Sequence, residues 1–168
     1  MKGLLIHSGL SLLFPVLITA CGPPEEPQAT PPTPVEIAKI TTGTAADRIA
    51  QIAPILNIEP PSTLQDAYFI EERIGDNSRL TVPGPSDYDS FYRLEVEPIS
   101  VALWRQALVP LETDATYAMP TAPQDWWLPP EQFEQLELYQ PDGLTQRIHG
   151  WVGILPETGE IYIYTFTM

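Results

Sequence analysis

The chain has 168 residues, and its 8 Lys+Arg against 22 Asp+Glu give a formal net charge of −14 at pH 7. This length is a prior for one domain, and 43% apolar with 18% charged residues argues against a disordered chain. The acidity argues against nucleic acid, which is bound by basic side chains that displace counterions. A single cysteine rules out an internal disulfide and any Cys-rich zinc site.

Met1-Lys2 is a short basic start, and Leu4 to Ala20 is a run of mostly apolar residues broken by His7, Ser8, Ser11 and Pro15. Such a run is short for a bilayer core, which takes about 20 helical residues. It fits a secretory signal peptide over residues 1–20. The run ends in Ile18-Thr19-Ala20-Cys21-Gly22, which resembles the lipobox of bacterial lipoproteins. The resemblance implies cleavage before Cys21, a lipid on its sulfur and acylation of the new amino group. Each buried CH₂ of an acyl chain contributes about 0.8 kcal/mol, and two or more chains anchor stably. Gly22 follows the cysteine, and no aspartate does. In Gram-negative lipoproteins of the enteric type that resembles the outer-membrane default. The expected product is an envelope protein anchored to a membrane through Cys21, not one that spans it. Residues 1–20 hold one of the eight basic residues and no acid, so the processed chain carries −15.

Gly22 to Pro34 reads GPPEEPQATPPTP. This composition favours extended polyproline II at ~3.1 Å per residue. It reads as a spacer rather than as a ligand for a proline-recognition module. Residues 21–34 are therefore the lipidated cysteine and its Pro-rich tether, and 35–168 a single folded domain.

Within that domain, Ala45, Ile49, Ile52, Ala53 and Leu56 give Thr44 to Ile58 a helical face, which Pro54 ends near Ala53. Leu64 to Ile74, with Tyr68, Phe69 and Ile70, predicts a strand, and Gly75-Asp76-Asn77 a turn. Phe91 to Glu97 alternates apolar and charged residues as a half-buried strand. Pro98 suits the first position of a helix, whose buried side would be Ile99, Ala102, Leu103 and Ala107. Residues 110–130 read as irregular, and Pro130 to Leu136 as a short helix. Three runs, Leu136–Gln140, Thr145–Leu155 and Glu160–Phe166, are separated by glycine-containing turns and predict an antiparallel meander. The expected fold class is α+β: one antiparallel sheet packed by two or three short helices.

The chemistry is sparse. His149 is the only histidine beyond the signal segment, so multi-histidine metal sites are out. It reads as a structural histidine at a strand edge. There is no G-x-S-x-G elbow, and a lipidated Cys21 leaves no thiol nucleophile. Glu71-Glu72, Asp87 with Asp89, and Glu95 with Glu97 are the local carboxylate pairs that glycoside hydrolysis would require; solvated faces explain them more simply. The D-x-[DN]-x-[DN]-G calcium loop is missing, and no metal or cofactor is expected. Two segments stand out as candidate binding residues. Ser86, Asp87 and Tyr88 follow Gly84 between two prolines, as either a rigid binding loop or a turn entering a strand. Trp126-Trp127, flanked by Pro123 and Pro129, could stack on sugars or anchor a protein, or form a lid with one ring buried on the sheet.

Gly84-Pro85-Ser86-Asp87-Tyr88, then a helix with Trp104, then Trp126-Trp127, the segment Gly150 to Ile154 and the closing Ile161 to Met168 together resemble a group of small uncharacterised bacterial proteins. That likeness implies one coherent domain and no particular activity. Two function classes follow. One is a non-enzymatic binding or accessory lipoprotein, whose acidity suits a basic protein or peptide. The other is a carbohydrate-binding module or weak glycan hydrolase of the envelope.

Overall fold

Alternating and β-branched residues build a six-stranded antiparallel sheet of order β1-β2-β3-β6-β5-β4. Its strands are β1 (Val35–Ile40), β2 (Leu64–Ile74), β3 (Asp87–Val96), β4 (Glu137–Tyr139), β5 (His149–Leu155) and β6 (Glu160–Phe166). Three short helices accompany it, α1 (Ala45–Ile52), α2 (Val101–Ala107) and α3 (Pro130–Phe133), with a 3₁₀ turn at Pro98–Ser100. The computed structural model describes residues 34–56, 59–74 and 87–167, all within the unit Pro31–Met168. The turn expected at 75–77 lies outside them. A small antiparallel sheet with a few short helices is compatible with the α+β expectation.

The two faces of the sheet are both covered. On one, Phe69, Tyr92, Leu94, Ile161, Ile163, Val152 and Ile154 pack under α1 and α2. On the other, Ile70, Phe91, Tyr162 and Trp151 pack under the proline-rich stretch 110–136, here called the strap. The strap is irregular up to Pro129, as its prolines predict, and then forms α3, shorter than the helix expected over Pro130–Leu136; it is part of the core and not a surface loop. Trp127 and Leu128 are buried in it. Gly153 makes room for it, since a Cβ there would meet Leu136 Cδ1 at 2.5 Å.

α1 starts at a capping box in which Thr44 Oγ1 accepts from the Asp47 N–H at 3.2 Å while Thr44 N–H donates to Asp47 at 2.9 Å. It ends at Ala53, before Pro54. The side of α2 that packs is not the one its apolar spacing suggested. Val101, Trp104 and Leu108 are buried, whereas Ile99 is 84% exposed and Leu103 48%. The 3₁₀ turn at Pro98–Ser100 advances the chain by a tighter angle than an α-helix and resets the phase. The larger Trp104 ring then takes the core position, with its Nε1–H donating to Ser62 Oγ at 2.8 Å.

β1 had no counterpart in the expected elements, and β3 begins at Asp87, four residues before the expected Phe91. Asp87 and Tyr88 are thus strand residues rather than loop residues. Glu95, expected on a solvated face with Glu97, is half-buried and lies 3.5 Å from Arg93, which also pairs with Glu160 at 2.5 Å. On this strap side of the sheet Arg93 is therefore flanked by two carboxylates.

Candidate binding cleft

At one end of the strap side, β3, β6 and β5 present a row of rings. Phe91 stacks with Tyr164 at 5.2 Å between centroids, Tyr164 with Phe166 at 5.7 Å, and Phe166 with His149 at 5.3 Å. Residues two apart on a strand share a face, and the register sets Phe91 beside Tyr164 and His149 beside Phe166. β5 begins at His149, four residues after the expected Thr145, and the imidazole is stacked on the Phe166 ring. Between this row and strap residues 111–118 lies a cleft of 380 Å³, completed by Gly150 and Trp151. That volume is in the range of ligand pockets.

The wall is fixed by side chains that hydrogen-bond to strap backbone. Trp151 Nε1–H donates to Thr116 O at 3.0 Å, Trp127 Nε1–H to Ala118 O at 2.9 Å, and the Tyr117 hydroxyl to Leu128 O at 2.8 Å. The deepest tie is Glu72, only 4% exposed. Its carboxylate accepts from Thr121 N–H at 3.0 and 3.1 Å and from Thr121 Oγ1 at 2.9 Å. Gly150 is obligatory at the cleft: its φ is +119°, and a Cβ would fall 1.9 Å from the Tyr164 carbonyl oxygen.

Polar character enters through Tyr164, whose hydroxyl donates to Asp89 at 3.2 Å. Burial pushes the Asp89 carboxyl above its ordinary value; the Tyr164 hydrogen bond opposes this, and the Glu72 and Asp87 charges add to it. Burial and the adjacent Asp89 charge push the Tyr164 hydroxyl up as well. The phenol therefore remains a donor. Asp114, on the strap wall, is exposed. The arrangement offers flat apolar contact with acidic groups near the floor and on the wall.

The Glu71–Glu72 pair separates, whereas Asp87 and Asp89 stay on one face of β3. Glu71 and Glu72 point to opposite faces, Glu72 to the strap and Glu71 to Ser90 Oγ at 2.7 Å and to the Arg147 guanidinium. Arg147 also donates to Ser90 Oγ, so that hydroxyl is held in an ionic cluster rather than beside a base. No cluster of three or more potential metal-ligating side chains occurs among the described residues.

Of the candidate binding residues, Cys21 and Ser86 lie outside the described residues. Asp87 and Tyr88 face opposite sides of the sheet, and Tyr88 N–H donates to Thr167 Oγ1 at 2.8 Å while its carbonyl accepts from Thr167 N–H at 2.9 Å. Trp127 is buried against Phe91 and Tyr162, and one part of it edges a 320 Å³ hollow with Pro120 and Pro123. Trp126 stacks on Tyr68 at 5.6 Å. The structure brings the tryptophan pair together with the aromatic side of the sheet, not with Asp87 and Tyr88. In the sequence Tyr164 and Phe166 read as strand-forming aromatics and not as binding residues, although their two-residue spacing places both rings on one face.

No family model, curated protein or solved structure shows significant similarity to the chain. No helix among the described residues is long and apolar enough to cross a membrane.

Proposed function

We propose that this chain is a lipid-anchored envelope protein whose domain binds a basic protein segment without catalysing a reaction. The cleft between the strap and the Tyr164–Phe166 rings is the observation that carries the binding reading. Its aromatic floor suits the stem and charge of a Lys or Arg side chain, and Asp89 and Asp114 match the sign. The lipobox at Ile18–Cys21 supports the anchor, and Gly22 supports the outer membrane in a Gram-negative host.

A carbohydrate ligand is the second reading, favoured by the same stacked rings. Its hydrolytic form has less support, because Glu72, the carboxylate nearest Asp89 in register, is bound by Thr121.

The test is crosslinking capture from the native envelope with the full chain and a Phe166→Ala variant, beside a Cys21→Ser control for membrane attachment. A basic protein captured by the parent and lost in Phe166→Ala supports the reading, as does release of Cys21→Ser into the soluble fraction. Glycan fragments in place of a protein would favour the second reading, and capture unaffected by Phe166→Ala would remove the cleft from the argument.

A further inference from the structure

We propose that β1 pairs with β1 of a second copy of this chain, joining two six-stranded sheets across a two-fold axis. The two edges of the sheet are treated differently. Along β4, Pro110 bridges Tyr139, Leu111 N–H donates to Leu138 O at 3.0 Å, and Gln140 N–H to Val109 O at 2.8 Å. That edge is covered by chain carrying a proline, a usual guard against further pairing. Along β1, among the described residues, no strand pairs with the outer side. Val35 is 50% and Ile37 46% exposed there.

The bulge in β1 decides the register. In a regular strand Glu36 and Lys39, three residues apart, would point to opposite faces. Here the ladder shifts between Glu36 and Ala38, so Glu36 lies opposite Glu72 and Lys39 opposite Ile70. Both then share the strap-side face, and they touch at 3.3 Å. Residues opposed across an antiparallel pair also share a face. With two copies running antiparallel, Glu36 of each falls opposite Lys39 of the other, and Val35 opposite Ile40 on the helix-side face. Symmetry repeats both contacts. Opposite charges directly across strands stabilise, while like charges in that position destabilise. The strand is therefore complementary to itself in the frame its bulge creates, and a chain of another charge pattern is disfavoured.

The test is the mass of the full chain in detergent, by light scattering with the detergent contribution subtracted, for the parent, Glu36→Lys and Lys39→Glu. The expected result is twice the chain mass for the parent and the single mass for each variant alone. Mixing the two variants restores the double mass, because four lysines or four glutamates then become complementary pairs. Recovery on mixing shows that neither variant is misfolded, and it cannot arise from the contact within one chain. A parent of single mass overturns the proposal. So do variants that keep the double mass, or a foreign polypeptide held in equimolar amount by the parent and released by Glu36→Lys.

Discussion

Removing the Glu72 carboxylate would take away the buried acceptor of both donors of Thr121, which is itself exposed. Hydrogen bonds to charged groups contribute ~1.5–3 kcal/mol. Glu72→Ala is expected to lower stability by about 3 kcal/mol and Thr121→Ala by about 1 kcal/mol, read from urea midpoints at constant slope. Equal effects of the two would show that the Thr121 N–H finds another partner. Asp89 makes a prediction of different kind. A carboxyl held above its ordinary value of 3.8 keeps its proton more tightly when folded than when unfolded. Its contribution to stability therefore falls as pH rises from that value through the folded one. Asp89→Asn keeps an oxygen for the Tyr164 hydroxyl and removes the charge. Its Tm is expected to exceed the parent's at pH 7 and the difference to fade below pH 4. A lower Tm at pH 7 would mean that the charged hydrogen bond outweighs burial.

At the scale of elements, α2 gives the sharpest contrast. Trp104→Ala is expected to cost about 3–5 kcal/mol, the range for large aromatic truncations in a core, whereas Leu103→Ala should change stability by under ~0.5 kcal/mol as a surface substitution. Thermal or denaturant unfolding of the pair decides whether the packed side is the one seen. The same helix shows what was legible in the sequence and what was not. β2 and β6 match their expected bounds because turn-forming residues stop them and β-branched or aromatic residues fill them. The α2 face was misread because two apolar spacings compete over Ile99 to Leu108, and only the 3₁₀ turn chooses between them. β1 is short and carries Glu36 and Lys39 amid small apolar residues, so its pairing depends on Phe69 to Arg73, far along the chain. Residues 110–129 of the strap are irregular as expected, yet prolines report only on backbone regularity. They say nothing of whether Trp127 and Leu128 will be buried. Half of the candidate cleft was hidden for that reason: its wall has no periodicity, and its floor is assembled across β5 and β6.

Taken whole, the domain closes one sheet on two sides with chain drawn from between its own strands. The helix side uses α1 and α2, and the strap side uses the connection from α2 to β4. On the strap side Arg93 pairs with Glu160, Glu72 and Asp89 are held by neutral donors, and Arg48 clasps Asp66 at 2.8 and 2.5 Å at the edge of β2. A ligand in the cleft would touch the strap and the ends of β5 and β6, and leave β1 free for its own pairing.

The distribution of tryptophans across the sheet makes the molecule its own optical reporter. Trp104 is sealed on the helix side, whereas Trp126, Trp127 and Trp151 cluster on the strap side, with Trp127 within 6.0 Å of both neighbours' ring centres. Emission from a Trp104→Phe protein would thus come from the strap side alone, and excitonic coupling among its three indoles would give that side a near-ultraviolet dichroism of its own. Lifting of the strap, or filling of the cleft beneath it, would be visible in that signal while the helix side stayed silent.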